Sequence, residues 1–455
     1  MSALLNKVAT LPAQFQMMRA TIRNPVDALP RAVFHERLVE RHLARQHIVY
    51  VCAPDLVREA LVTNSDRLDK GEGLRRAIGP GLGEGLLTAE GAHWRWQRQA
   101  LAPVFRASGV GAFLPAMTSA TRRCVETLSA EGGIVAIDDV MMRLTGRIIV
   151  ETMLSAPDAV DADAMARNLG VFLHQTRWSI LGDLLGTPEW LPHPGKARGL
   201  AAAQALREEA MVQIAARRAL LGNAPEKTPD DLLARLLAAK DPETGRAMHD
   251  SEIVDNLLTF LTAGHETTAL ALAWTFDRLG RHPEILREVQ AEIDATLTDD
   301  GPTLEQLDSL SLTRNVLRES MRLTPPAPII VREVTEAFAL EGVKLEKGTR
   351  LVVPIYALHR HRTLWEAPEI FDPSRFVASA GQSRPHDDRY AYMPFGAGPR
   401  ICIGARFAET EALTVLAMTL KALTLTPELS VTPPGKMEIT LRPAKPLLMS
   451  VRKRN

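Results

Sequence analysis

Cysteine is scarce in this chain. Only three occur in 455 residues, at Cys52, Cys124 and Cys402, and no pair has the Cys-x-x-Cys spacing of a zinc or iron–sulfur ligand set. So low a count also argues against a disulfide framework and favours a reducing, cytoplasmic location. We interpret Cys52 and Cys124 as small buried apolar side chains, which leaves Cys402 as the cysteine available for chemistry.

Net charge and long apolar runs are missing as well. The 54 basic and 54 acidic residues balance, so no nucleic-acid partner is predicted. No apolar run is long enough to span a bilayer, and residues 1–20 lack a clear signal-peptide cleavage pattern. We therefore predict no transmembrane segment, while a peripheral membrane contact of the N-terminus stays open.

Two regions of the chain differ in their residue patterns. Residues 54–325 contain Ala- and Leu-rich stretches broken by proline and glycine, which predicts helices. Residues 326–455, together with a stretch near 47–52, predict mainly strands and loops. No repeat and no convincing domain boundary interrupts the chain. We predict one α+β, mainly α, domain over residues 1–455.

Some local patterns make sharper predictions. Residues 343–353 predict a hairpin that turns at Lys347-Gly348, and residues 437–451 predict a second strand pair. The glycine-rich stretch 79–85 lacks the strand–loop–helix context of a phosphate-binding loop. We interpret that stretch as a flexible loop.

Cys402 lies in a glycine-rich loop, residues 395–404, whose glycines allow tight turns. The amphipathic stretch 405–423 predicts a helix directly after the loop. Cys402 is therefore placed at a helix N-terminus, where the positive dipole end favours a thiolate, and Arg400 adds a cation. A thiolate on such a loop can attack a substrate, bind a metal or ligate haem iron.

A second signal lies in a long apolar helix predicted over residues 252–279. Its centre reads Ala263-Gly264-His265-Glu266-Thr267-Thr268, which suggests a local distortion where a ligand approaches the backbone. Close packing by small residues is the alternative. A zincin helix is excluded because position 269 is alanine, not histidine, so we interpret His265 as a hydrogen-bonded core or channel residue.

Two further pairs have helical spacing. Glu319 and Arg322 are three residues apart, as in many surface ion pairs, and with Arg375 they could form a buried network. Trp94 and Arg98 are four residues apart, and both can donate hydrogen bonds to an anion. An aromatic anchor on an amphipathic helix is the alternative for the second pair.

Taken in order along nearly the whole chain, these motifs resemble the cytochrome P450 family of haem-thiolate monooxygenases. The resemblance implies the fold of that family, with a large helical part and a small β-rich part enclosing haem b (iron protoporphyrin IX). The matching positions are Trp94 and Arg98, Glu266 and Thr267, Glu319, Arg322 and Arg375, and in the cysteine loop and its helix Phe395, Gly398, Arg400, Cys402, Gly404, Phe407, Ala408 and Glu411.

The resemblance also implies a role for each site residue. Cys402 would be the axial ligand of the haem iron, a thiolate that favours O–O cleavage. Thr267 and Glu266 would deliver protons during oxygen activation. Glu319, Arg322 and Arg375 would be structural and brace the cysteine loop. The further cofactor-binding residues would be Trp94, Arg98, Arg332 and Arg400 at the haem propionates, with Ala263, Phe395 and Gly404 around the haem.

The activity implied is insertion of one oxygen atom from O2 into a hydrophobic small molecule. Because Glu266 and Thr267 are both present, we favour the O2-dependent route over a haem-thiolate peroxygenase or isomerase. A non-catalytic haem-based sensor is a further alternative. Electrons would come from a separate ferredoxin- or flavodoxin-type donor with its reductase, since the chain ends at Asn455, soon after the cysteine loop and its helix.

Two surfaces follow from this interpretation. A basic patch for an acidic electron donor is predicted at Arg95, Arg122, Arg123, Arg314 and Arg318, with ordinary solvated charges as the alternative. An apolar pocket suited to a terpenoid, fatty acid, steroid or aromatic is also predicted. Its predicted walls are residues 68–87, 169–191, 260–267, 327–330 and 444–447.

Overall fold

A large helical part and a smaller β-rich part make up this protein. The computed structural model describes residues 20, 23–43, 46–155, 162–184, 193–241, 243–298, 301–377 and 387–454. Its α-helices run in chain order as follows: α1 (Pro54–Arg58), α2 (Glu72–Leu82), α3 (Gly91–Leu101), α4 (Ala107–Val110), α5 (Leu114–Glu131), α6 (Ile137–Leu154), α7 (Ala162–Leu184), α8 (Lys196–Asn223), α9 (Leu232–Ala238), α10 (Asp250–Arg281), α11 (Pro283–Thr296), α12 (Leu304–Ser309), α13 (Ser311–Leu323), α14 (Ile355–Leu358) and α15 (Ala405–Ala422).

Helix α10 forms the centre of the helical part. It is apolar on nearly every face and almost entirely buried, as expected for a helix surrounded by others. It packs most extensively against α6, and the largest apolar core forms around both. At its N-terminus Glu252 Oε2 accepts a hydrogen bond from the His249 backbone N–H at 2.8 Å. The predicted helix over 252–279 is confirmed and extends two residues further at each end.

The strands form four small sheets in the described chain. A five-stranded sheet has the order β1-β2-β8-β5-β3, a three-stranded sheet has the order β4-β12-β9, and two hairpins pair β6 with β7 and β10 with β11. The strands are β1 (Leu38–Leu43), β2 (Gln46–Val51), β3 (Leu68–Asp69), β4 (Gly133–Ala136), β5 (Ile330–Val334), β6 (Phe338–Leu340), β7 (Val343–Leu345), β8 (Arg350–Val353), β9 (Leu423–Pro427), β10 (Gly435–Met437), β11 (Leu441–Pro443) and β12 (Leu448–Lys453).

The predicted hairpin over 343–353 is wrong in its pairing. The turn is present, with Gly348 at φ +84°, but β7 pairs with β6, whereas β8 pairs with β5 and β2. Leu351 and Val353 of β8 are fully buried, so this strand belongs in the middle of a larger sheet. The prediction over 437–451 is right about strands, but only β10 and β11 pair with each other; β12 joins β4 and β9.

The stretch 79–85 is not the flexible loop that we predicted. Residues 79–82 form the last turn of α2, and Gly83, at φ +56°, ends the helix. A side chain at Gly81 would approach Phe172 Cζ to 2.4 Å, so glycine there permits close packing between helices.

The two other cysteines differ from each other. Cys52 is fully buried, and burial raises the pKa of its thiol to about 12, as the sequence interpretation requires. Cys124 is only half-buried and packs at the edge of the main core, so the interpretation of Cys124 as a buried apolar side chain holds only in part.

Among the described residues, no single helix is long and apolar enough to cross a membrane, although the bent pair 91–105 and 108–131 meets the requirements of length and composition together.

Candidate active site

A cavity of about 640 Å³ lies between helix α10, the cysteine loop and the β-rich part. Apolar side chains such as Phe260, Ile330 and Phe407 form much of its wall. Ala263 and Thr267, in the middle of an otherwise buried helix, also border the cavity. The predicted cysteine loop and the predicted ligand-contacting centre of the long helix therefore face one common space.

Backbone geometry holds Cys402 at the wall of this cavity. Its N–H donates to the carbonyl of Phe395 at 2.9 Å, which closes the loop. Gly396 and Gly398 have φ of +75° and +74°, values that favour glycine. A side chain on Gly398 would come within 2.1 Å of the Leu61 carbonyl oxygen. Gly404 is different: its φ is negative, and a Cβ there would meet nothing within 4 Å.

The thiol of Cys402 is not poised as a thiolate by the protein alone, which corrects the prediction from the helix dipole. Its side chain is accessible, and it lines the cavity, but the dense protein around it raises the pKa of the thiol by desolvation. A hydrogen bond from the Gly404 backbone and the positive charge of Arg98 act in the opposite direction without cancelling it. Coordination of a metal cation deprotonates such a thiol outright.

Cations converge on one wall of the same cavity. Lys70, Arg98, Arg332 and Arg400 all line it. Burial is the main cause that lowers the pKa of each, to about 10 for Arg332. Among the described residues, neither Arg98 nor Arg332 has a carboxylate within ion-pair distance. Two anions act on this group: Glu90, which pairs with Arg400, and Asp69.

Arg400 also orders the neighbouring aromatic side chain. Its guanidinium lies 4.3 Å from the ring centre of Trp94, and its Nη1 donates to the Ala89 carbonyl at 2.9 Å. Trp94 lines the cavity, and its indole N–H has no hydrogen-bond partner among the described residues. The predicted group of Trp94, Arg98, Arg332 and Arg400 is thus brought together.

These residues fit a haem. A thiol at the wall can supply the iron ligand, Gly404 leaves open space beside it, and apolar side chains suit a flat macrocycle. The unneutralised cations and the free indole N–H complement two propionates. The remaining predicted contacts, Ala263 and Phe395, lie in the wall as well.

Helix α10 is unbroken at the position where we predicted a distortion. The Thr267 hydroxyl donates to the Ala263 carbonyl, one turn earlier, at 2.7 Å, so its hydrogen-bond partner lies within the helix itself. The alternative of close packing applies to the other face, where His265 Nε2 donates to the Met142 carbonyl at 2.9 Å. His265 is therefore a hydrogen-bonded core residue, as interpreted.

Glu266 does not line the cavity, although it precedes Thr267 in the sequence. Its side chain is buried and points to the hairpin of β10 and β11. Glu266 Oε1 accepts a hydrogen bond from Arg442 Nε at 2.6 Å and another from the Thr440 hydroxyl. The Glu266 carboxylate and the Thr267 hydroxyl therefore lie in different environments in this conformation.

Glu319, Arg322 and Arg375 do converge. Arg322 is fully buried and forms a two-point ion pair with Glu319 at 2.7 and 2.8 Å. Arg375 Nε lies 3.4 Å from Glu319 Oε1, and the other guanidinium nitrogens of Arg375 bond to the carbonyls of Glu366 and Ala367. The network joins α13 to the segment that leads toward the cysteine loop.

The cavity walls agree only in part with the prediction. Segments 68–87, 260–267 and 327–330 contribute, whereas residues 444–447 do not, nor do those residues of 169–184 whose side chains the structure describes. Leu447 packs into the core instead, with its N–H bound to Asp138 at 2.9 Å. Residues 185–191 of the predicted wall lie outside the described residues. No sequence pattern indicated that Met437, at the end of β10, and Glu438 and Ile439, in the turn before β11, would border the cavity.

Comparison with known proteins identifies the family. The cytochrome P450 family model matches residues 31–451. The chain belongs to the cytochrome P450 family. Membership makes it an oxidoreductase of the monooxygenase class that uses haem. Its fold is that of a cytochrome P450, because it superposes on a crystallised cytochrome P450DA heme domain with a TM-score of 0.81 at 27% identity, over 92% of this chain and 90% of that one.

Bacterial cytochromes P450 are among its relatives. Cyclooctat-9-en-7-ol 5-monooxygenase of Streptomyces melanosporofaciens is 34% identical over 90% of this chain and 87% of its own length. Cyclooctatin synthase of the same organism is 32% identical over 87% of this chain and 84% of its own length.

Sequence reasoning missed several residues around this P450 site. Lys70, Glu90, Thr440 and Arg442 belong to no motif that we recognised, and they lie far along the chain from the residues that they contact. Helical or strand spacing relates only residues that are close in sequence, so it cannot predict contacts of this kind.

Proposed function

We propose that this protein uses O2 to hydroxylate an apolar carbocyclic molecule of terpenoid type on haem b, with electrons from a separate ferredoxin- or flavodoxin-type donor. The observation that carries the proposal is the apolar cavity bordered by both Cys402 and Thr267. The two Streptomyces relatives support the substrate class, since one is named as a monooxygenase of cyclooctat-9-en-7-ol.

Haem supplies the redox chemistry that activates dioxygen and inserts one oxygen atom into a C–H bond. The chain supplies the surroundings. Cys402 would hold the iron, and Trp94, Arg98, Arg332 and Arg400 would hold the propionates. Phe260 and Phe105, whose ring centres are 5.1 Å apart, present an aromatic wall that can position an apolar substrate and exclude water.

Thr267 would hold the proton closest to the site of oxygen chemistry. Its hydroxyl borders the cavity and already donates to a backbone carbonyl, so it can pass a proton on and be restored from water. Glu266 would act behind Thr267, after release from Arg442, since it has no access to the cavity in this conformation. This supply of protons is the feature that favours the O2-dependent route over a peroxygenase or isomerase.

Electron transfer is proposed to occur at the basic patch, although two of its arginines are already in ion pairs. Arg123 pairs with Glu151, and Arg314 lies within 3.3 Å of Asp308 and 3.2 Å of Glu409. Arg95 is exposed and would carry much of the attraction for an acidic donor. A cytoplasmic location stays a prediction from the low cysteine content.

A spectroscopic test comes first. The reduced carbon monoxide complex should show the red-shifted Soret band of thiolate haem, and carbocyclic terpenoid alcohols should shift the resting Soret band. Turnover of these ligands with an added electron donor, NADPH and O2 is the expected result. Ligand binding without oxygenated product would favour a sensor, and turnover with hydrogen peroxide alone would favour a peroxygenase.

A matched pair of variants tests the role of Thr267. Thr267→Ala should release more hydrogen peroxide per electron consumed, because proton delivery is impaired. Thr259→Ala is the control, since Thr259 lies on the same helix, borders the cavity and makes the same kind of bond, to the Asp255 carbonyl at 2.8 Å. Equal coupling in the two variants would contradict the assignment.

A further inference from the structure

Glu411 is a buried carboxyl group near the cavity that the proposed function does not use. It lies on α15, where Ala408 and Ala412 border the cavity, and its own side chain is fully buried. Among the described residues, no basic side chain lies within ion-pair distance of Glu411, and its Oε1 has no hydrogen-bond partner. Such surroundings favour the neutral, protonated form of a carboxyl group.

The side chain of Thr268 connects this carboxyl group to the cavity. Thr259, Thr267 and Thr275 of the same helix each donate to the carbonyl four residues earlier. Thr268 differs, because its side chain is hydrogen-bonded to Glu411 on the facing helix α15, and Thr268 itself borders the cavity. One hydroxyl group therefore separates Glu411 from the cavity, and a hydroxyl can accept one proton while it donates another.

Glu266, the acid that the sequence assigned to proton supply, is held differently. Its carboxylate accepts hydrogen bonds from Arg442 at 2.6 Å and from Thr440, partners that stabilise the ionised form, which has no proton to donate. Glu411 has the opposite character, since burial raises the pKa of its carboxyl group to about 8 and no charged side chain of the described residues contributes to that shift. A proton is thus available at Glu411 without a change of conformation.

We propose that Glu411 donates a proton to the oxygen chemistry of the cavity through the Thr268 hydroxyl. The proposal rests on the proposed function, which consumes protons as O2 is reduced. In this step the O–H bond of the neutral Glu411 carboxyl breaks and an O–H bond forms on Thr268, while the former hydroxyl proton of Thr268 passes to an acceptor in the cavity. Thr268 ends the step unchanged, Glu411 is left as a carboxylate, and a proton from solvent restores it before the next turnover.

Infrared spectroscopy tests this connection without turnover. Photolysis of the reduced carbon monoxide complex perturbs the cavity, so the light-minus-dark spectrum in H2O and D2O reports carboxyl groups that are coupled to it. We expect a C=O band of a protonated carboxyl group that moves to lower frequency in D2O, is lost in Glu411→Gln and is shifted in Thr268→Ala. Thr275→Ala is the control, since Thr275 is a buried threonine of α10 that does not border the cavity. Absence of the band in wild type, or its persistence in Glu411→Gln, would overturn the proposal.

Turnover tests the donation of the proton. Oxygenated product and hydrogen peroxide per NADPH are compared for wild type, Glu411→Gln, Thr268→Ala and the double variant, with the carbocyclic terpenoid alcohol that gives the largest Soret shift. A positioned acid contributes about 10²–10⁴-fold, but Thr267 supplies protons in parallel, so Glu411→Gln should lower the product per NADPH by about two- to tenfold. The double variant should lose no more than Thr268→Ala alone, because both changes interrupt the same path.

The outcomes separate the path from a structural role and from the proposed function. Equal product yields of wild type and Glu411→Gln, or losses that multiply in the double variant, would contradict the path. If Glu411→Gln does not form the red-shifted carbon monoxide complex, Thr268→Ala carries the test through the same two readouts. Failure of the proposed function looks different, because wild type would then form no oxygenated product, while the infrared band would still report the bond between Glu411 and Thr268.

Discussion

Replacement of Glu319 by glutamine isolates the energetic role of the buried ion-pair network. Glu319 is fully buried, and its carboxylate accepts two hydrogen bonds from Arg322 and one from the Asp372 backbone N–H at 2.9 Å. Glu319→Gln keeps the size of the side chain but removes its charge. The positive charge of Arg322 then stays buried with only carbonyl partners, those of His359, Pro368 and Ile370.

The expected loss is large. Breaking a buried pair by neutralising one partner costs about 3–5 kcal/mol, because the other charge is left uncompensated. Arg375, whose Nε lies 3.4 Å from Glu319, loses the same counter-charge and adds to the effect. Since a domain is stable by only about 5–15 kcal/mol, such a loss removes a large part of the free energy of unfolding.

Urea unfolding followed by far-UV circular dichroism and by the Soret band measures this loss. Glu72→Gln is a matched control, since Glu72 and Arg75 also stand three residues apart at 2.7 Å, but both are about half exposed. The control should change the free energy of unfolding by at most about 1 kcal/mol. If Glu319→Gln and Glu72→Gln cost the same, the network is not the stabilising element that its burial indicates.

Three further predictions concern single residues. Cys402→Ala should abolish the red-shifted Soret band of the reduced carbon monoxide complex, whereas Cys124→Ala should leave it unchanged. Arg442→Met should lower the free energy of unfolding by about 1–3 kcal/mol, measured by urea titration, because buried Glu266 loses its cation; Arg442→Lys should restore much of it. Burial raises the pKa of Glu411 from 4.5 to about 8, so between these values only the unfolded chain is ionised and stability falls as pH rises. Glu411→Gln should flatten that slope by as much as about 1.4 kcal/mol per pH unit in urea unfolding; an unchanged slope would show that Glu411 does not titrate there.

Local sequence determined helices α10 and α15 and the cysteine loop. The spacing of apolar residues predicted α10 and α15 to within a few residues, because an amphipathic or buried helix repeats every 3.6 residues regardless of its surroundings. Gly396 and Gly398 likewise reveal a tight loop, since only glycine adopts positive φ without strain. The family resemblance followed from the order of such local motifs.

Pairing between distant segments was decided only by the tertiary structure. The chain turns at Gly348, just before strand β8, as predicted, but which strand β8 joins depends on burial in a larger sheet. The burial of Glu319 was likewise decided by distant segments. Its spacing to Arg322 also suits a surface ion pair, but it is buried against Arg375 and Asp372, more than 50 residues away.

Glu266 and Thr267 show most clearly that sequence alone does not predict the environment of a side chain. They are neighbours in sequence, yet consecutive residues of an α-helix point about 100° apart, so one borders the cavity and the other meets Arg442. Lys70 belongs to no motif, and only folding places it among arginines from three other segments. The sequence determined which chemical groups this protein has, and the fold decided which of them share one electrostatic environment, because charge interactions depend on distance in space and on the exclusion of water.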